Sequence, residues 1–110
     1  MGMMLLIYGL MGLLLVALCV PMMYDKIPPN SFYGFRTPRT LSDPNIWYPA
    51  NRVAGRNLAL AGLIVIITAL VVFAMQKGIH PKTAALSLLV VSLASLTGAV
   101  VHSLMALRRM

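Results

Sequence analysis

LALAGLIVIITALVVFAM, residues 58–75, runs eighteen positions without a charge, and Thr68 is its one polar side chain. In lipid the backbone has no water to bond with, so such a run is stable there as a helix, which pairs its own N–H and C=O groups. A spanning helix takes roughly 20 mainly apolar residues. Extended back to Val53, the run becomes a span over about 53–75.

Working outward, two more stretches reach the same length. Residues from about 2 to 23 carry no charged side chain, the first charge being Asp25. Residues from about 83 to 107 are interrupted only by Ser, Thr and His102. The chain as a whole is 60% hydrophobic and 10% charged over 110 residues. A soluble domain of this size buries only about two thirds of the surface its unfolded chain exposes, so lipid must cover the rest. The fold class expected is an all-α integral membrane protein of one domain. Three transmembrane helices are expected, with a structured loop at 24–52 joining the first to the second. The first span lacks a basic start, exceeds the usual apolar length of a secretory leader and precedes no small-x-small site. It reads as a permanent helix.

Orientation follows from the bases, which are retained on the cytoplasmic side. The first loop and C-terminus share one side and carry Lys26, Arg36, Arg39, Arg52, Arg56, Arg108 and Arg109; the other side has Lys77 and Lys82. That asymmetry puts the N-terminus outside and the first loop and C-terminus in the cytoplasm. The net charge of +7 is then read as attraction to anionic lipid, at about 1 kcal/mol per base, and not to nucleic acid. Cys19 lies alone inside a span and reads as a small packing residue.

The loop is compositionally distinct. Tyr24, Phe32, Tyr33, Phe35, Trp47 and Tyr48, six of the eight aromatics, fall between residues 24 and 48. An aromatic belt at the membrane surface accounts for the rings but not for their neighbours. Pro28 and Pro29 fix two backbone angles and remove two donors, Gly34 permits a left-handed conformation between two rings, and Thr37-Pro38 imposes an extended dipeptide. A loose tether would use Gly and Ser, so one held shape is expected. Arg36 and Arg39 then stand three positions apart beside threonines, a set that suits a phosphate or carboxylate and equally suits capping of helix-end carbonyls. Ser42, Asp43 and Pro44 form a helix start. A short interfacial helix should place Ile46, Trp47, Ala50 and Val53 on one stripe, with a kink or break near Tyr48 at Pro49.

Taken in order, Ile27-Pro-Pro-Asn30, Tyr33-Gly-Phe-Arg-Thr-Pro38, Thr40-Leu-Ser42, Trp47, Asn51-Arg52 and Gly55 resemble the signature of the SdpI family, the immunity family for a sporulation-delaying protein in bacteria. The resemblance covers about 30 residues, and the flanking spans match only as apolar helices. Longer members carry a further membrane region ahead of this three-span unit. The resemblance implies a bacterial cell membrane protein of the immunity or toxin-resistance type, with membrane lipids, a peptide toxin and a cytoplasmic regulator as the partners to consider and no cofactor. On the motif positions, Asn30, Tyr33, Arg36, Thr37, Arg39, Trp47, Asn51 and Arg52 are the candidate binding residues, and Pro28, Pro29, Gly34, Pro38 and Gly55 the structural ones. His102, about a turn and a half before Arg108, is either a polar residue satisfied by a neighbouring helix or a wall of that site.

Other classes lack parts in the sequence. Catalysis within a membrane needs an acid or base inside the spans, yet the acids are Asp25 and Asp43, both in the loop. His80, His102 and Cys19 are too scattered for a metal. A small transporter or exporter is the main competing class, with an intramembrane enzyme or lipid-binding protein behind it. Small-xxx-small pairs (Gly55 with Ala59, Ala94 with Gly98, Ser95 with Ala99) are candidate helix contacts and leave self-association open. The tight connection at 78–81 should make the second and third spans antiparallel neighbours. A cysteine placed at Ser42 is expected to resist an impermeant thiol reagent in intact cells and to react once the membrane is opened; labelling from outside would reverse the orientation.

Overall fold

A computed structural model describes residues 2–30 and 33–110 of the chain. Its elements among those residues are all helical: α1 (Gly2–Met23), α2 (Pro38–Ser42), α3 (Pro44–Ala74) and α4 (Pro81–Arg108). The three long helices are each apolar and long enough to cross a bilayer. Their outer faces, among them Leu6, Leu10 and Leu13 of α1, Ile67 and Leu70 of α3, and Leu86 and Val90 of α4, are exposed. Those faces are the surface that lipid covers. The long dimension is 52 Å, beyond the hydrocarbon core of about 30 Å.

α3 is the central helix, packed against α1 on one side and α4 on the other. Both neighbours run antiparallel to it. At one end Ala69 and Val72 of α3 meet Ala84 and Leu88 of α4, with Met4, Leu5 and Tyr8 of α1 closing over them. At the other, Cys19 and Met22 of α1 meet Ala54 and Ala59 of α3 beneath Tyr33 and Phe35 of the loop.

Glycine sets the α1–α3 approach. A Cβ on Gly12 would sit 2.6 Å from the Gly62 carbonyl oxygen, and one on Gly62 would sit 2.8 Å from the Gly12 oxygen. A Cβ on Gly55 would lie 2.8 Å from the Cys19 oxygen. Gly12 and Cys19 are seven residues apart, as are Gly55 and Gly62. Two turns on each antiparallel helix are therefore in register, small residue against small residue. Without a hydrophobic drive between helices in lipid, this backbone proximity supplies the dispersion contacts that hold them. Gly55 thus lies at a close approach of the two helices, whereas Gly98 has open space around it and Ala94 is exposed.

Two expectations need correction. No break occurs at Pro49, because α3 continues through it as one helix of 31 residues. At 1.5 Å per residue this is about 46 Å, so the first turns project beyond the hydrocarbon, and the separate interfacial helix expected there is the start of the second span. Pro49 costs the bond to the Asn45 carbonyl in the opening turn, where that residue is exposed and water can replace the donor. The second correction is α2. Thr37 is extended as expected (φ −133°, ψ 164°), but it serves as the N-cap of a helical turn that begins at Pro38.

Helix ends are closed locally. α1 terminates with Asp25 at φ 58° and the Lys26 N–H bonded to the Pro21 carbonyl at 3.0 Å, the pattern of a left-handed residue just past a helix end. His80 caps α4, its Nδ1 accepting from the Lys82 N–H at 3.1 Å. Replacing Gly62 with Ala is expected to lower stability by about 1–3 kcal/mol through overpacking, while Gly98→Ala is silent. Thermal unfolding of the two variants in one detergent measures the difference, and equal melting would remove the close-approach argument.

Candidate functional site

The projecting end of α3 is the post on which the loop is built. Trp47 is fully buried, and its Nε1–H donates to the Ile27 carbonyl at 2.8 Å. One turn on, Asn51 is also buried. Its Oδ1 accepts from the Phe35 N–H at 2.7 Å, and its Nδ2 donates to the Trp47 carbonyl at 2.9 Å. The amide thus mimics a backbone partner for a chain that has no neighbouring strand.

Gly34 passes directly over this pair. Its φ of 111° is accessible to glycine, and a Cβ there would lie 2.7 Å from Asn51 Oδ1 and 3.1 Å from the Trp47 ring. Conformation and space both require the residue. Ahead of it, Asn30 closes the turn: its Oδ1 accepts from the Tyr33 N–H at 2.7 Å, and its Nδ2 donates to the carbonyls of Pro28 at 2.7 Å and Tyr33 at 3.0 Å. The Tyr33 hydroxyl donates to the Leu18 carbonyl and so ties the loop to α1. Burial pushes the Tyr33 phenol up, so it stays a protonated donor around neutral pH.

Beyond the glycine, Thr37 and Thr40 form a reciprocal cap. The Thr37 N–H donates to Thr40 Oγ1 at 2.7 Å, and the Thr40 N–H donates to Thr37 Oγ1 at 3.1 Å. Thr40 is fully buried, and its hydroxyl also donates to the Phe35 carbonyl at 3.0 Å. Asp43 then caps α3 by accepting from the Asn45 N–H at 2.9 Å.

The structure thus brings Asn30, Tyr33, Thr37, Trp47 and Asn51 together as one lattice whose polar atoms face inward, towards the loop backbone. Ser31 and Phe32 lie outside the described residues. Arg36 and Arg39 are exposed on the outer surface of the loop and of α2. Arg52 Nη1 pairs with Asp25 Oδ2 at 2.7 Å, both side chains being about half exposed (49% and 41%). An exposed pair of this kind contributes about 0–1 kcal/mol. Both acids are therefore engaged in structure, Asp25 with Arg52 and Asp43 as a cap.

His102 stands on α4, and among the described residues its hydrogen bond goes to α3 and not to the loop. Asn57 Nδ2 meets His102 Nδ1 at 2.8 Å and donates to Ser103 Oγ at 3.1 Å, and Ser103 in turn donates to the Ala99 carbonyl at 2.7 Å. An amide NH₂ can only donate, so Nδ1 is the bare nitrogen and Nε2 carries the ring proton. Asn57 and Thr40 were not among the sequence candidates. Asn57 was legible as the one carboxamide entering the second span, and Thr40 as the partner of Thr37 three residues earlier.

Three apolar spans with a loop locked over one end define a multi-pass helical membrane protein. The chain belongs to the SdpI/YfhL protein family, whose pattern matches residues 26–105 and so covers the loop, α2, α3 and most of α4. It is similar to the uncharacterized protein YfhL of Bacillus subtilis (strain 168), with 35% identity over 54 residues, 49% of each chain. The match spans about half the length of that relative. No solved structure matches the chain.

Loss of the Asn51 amide leaves the Phe35 N–H without its partner, a cost of about 1–3 kcal/mol when such a group is buried. Asn51→Ala is expected to speed hydrogen exchange at Phe35 and neighbouring loop amides while the span amides stay protected. Unchanged exchange at Phe35 would mean that the loop holds its shape without this bond.

Proposed function

We propose that the chain is a non-enzymatic membrane protein that confers resistance to a membrane-active antimicrobial peptide, or reports its presence, by recognising the peptide or a lipid-like partner through the first loop. Family membership supports the class. The observation that supports the loop is the direction of its polar groups. Asn30, Tyr33, Thr37, Thr40, Trp47 and Asn51 fix the frame from within, so Arg36 and Arg39 are displayed from a stiff support and not from a tether. Holding a guanidinium in advance lowers the ordering cost of a bidentate bond to a carboxylate or phosphate. The charge asymmetry supports a cytoplasmic position for this face, with the N-terminus outside, in the bacterial cell membrane.

The test is survival of a sensitive strain expressing the protein when challenged with membrane-active peptides. Arg36→Lys keeps the charge but loses the planar fork, and it is expected to lose protection as fully as Arg36→Ala does, with normal membrane levels in both. Full protection by Arg36→Lys together with an equal defect in Lys77→Ala would reduce the loop to a basic anchor. Dye efflux that collapses with the proton gradient would instead make the protein a transporter.

A further inference from the structure

A second group of cations lies at the same end of the bundle, on α3 and just past the end of α4. Arg52 and Arg56, one turn apart on α3, line an open cleft of about 400 Å³ with Met23, Pro49, Val53 and Met110. Met110 also lines an adjoining hollow of about 260 Å³ that contains His102, Met105 and Arg109. The two meet at Met110, which lines both, and are treated together as a trough at the ends of α1, α3 and α4. Three guanidiniums rim it, and among the described side chains one carboxylate, Asp25, pairs with them, on Arg52. The side chains of Arg56 and Arg109 make no hydrogen bond or ion pair among the described residues.

Depth decides what such a trough meets. Arg56 precedes the end of α3 at Ala74 by eighteen residues, about 27 Å of helix, against a hydrocarbon core of about 30 Å. With the Ala74 end at one boundary, Arg56 falls just inside the other and Arg52 just beyond it, so both long side chains reach the level of lipid phosphates. Between the arginines the lining is Met23, Val53, Met105 and Met110, level with Arg56 or outward of it along the bundle. The charge excess favours a headgroup with a net negative charge over a zwitterion, whose own cation would face the arginines.

We propose that this trough binds the headgroup of one anionic phospholipid, its phosphate held by Arg52 and Arg56 with Arg109 alongside. Arg52 and His102 are shared with the motif candidates, but the inference does not rest on the loop reading, since Arg36 and Arg39 take no part.

The test uses full-length protein reconstituted in vesicles of equal parts phosphatidylcholine and phosphatidylglycerol, extracted in mild detergent and weighed intact by mass spectrometry. One phosphatidylglycerol per chain is expected to be retained in preference to phosphatidylcholine. Arg56→Ala should weaken that retention about tenfold, the size of one charge-assisted bond, while Lys77→Ala and Lys82→Ala at the opposite end should not. Should Arg56→Ala fail to insert, Arg56→Gln carries the same comparison. Equal retention of both lipids, an unaffected Arg56 variant, or an equal loss in the lysine variants would overturn the site. Displacement of the lipid by glycerol phosphate at matching concentration would do so too, making it a small-anion pocket. Arg36→Lys should leave the lipid count unchanged, so failure of the loop reading and failure of this one are told apart.

Discussion

The carboxamide of Asn51 is the interaction on which the rest of the loop depends. A chain laid over the end of a helix bundle has no strand beside it, so its N–H and C=O groups need partners from side chains. Asn51 supplies an acceptor to Phe35 and is itself fixed by the Trp47 carbonyl. Because Trp47 in turn holds Ile27, two side chains one turn apart on α3 pin the loop at points eight residues apart. Gly34 has to cross the space between them, which determines its backbone angle and forbids a side chain. Asn30 and the two threonines then close the shorter turns on either side.

That arrangement requires α3 to project past the hydrocarbon. The helix is about 46 Å long, and its surplus over the core of about 30 Å is the segment that carries Trp47 and Asn51. The backbone contact of Gly12 with Gly62, and of Cys19 with Gly55, fixes the depth of α1 against this post. Tyr33 reaches the Leu18 carbonyl only because α1 ends beside it. Fold and loop are thus one construction, with the close helix crossing setting the reach of the tyrosine.

The spans were legible in the sequence because uninterrupted length in lipid leaves one solution. The extended backbone at Thr37 and the left-handed angle at Gly34 were legible from Thr37-Pro38 and from glycine itself, whose backbone limits are local. What Pro49 does was not, since its effect depends on how far into the helix it falls and on whether water reaches the orphaned carbonyl. The crossing at Gly12 and Gly62 was hidden because a glycine among leucines looks the same whether it meets a helix or lipid, as Gly98 illustrates. For the candidate site, residue types alone could not separate inward from outward. Asn30, Trp47 and Asn51 carry the same donors and acceptors whether they hold a partner or hold the loop, and only the geometry assigns them to the second task.

A frame tied together through main-chain atoms leaves the outward side chains with little structural duty. Pro28, Tyr33 and Phe35 are gripped by their peptide groups, while Asn30 and Gly34 belong to the frame itself, so an inward lattice of this kind is indifferent to what a position such as Arg39 presents to the exterior. The surface of the loop can therefore diversify by substitution without a new fold having to be found each time. Antibody domains separate framework from variable positions on the same physical basis, and here the division is compressed into a few tens of residues at the edge of a membrane.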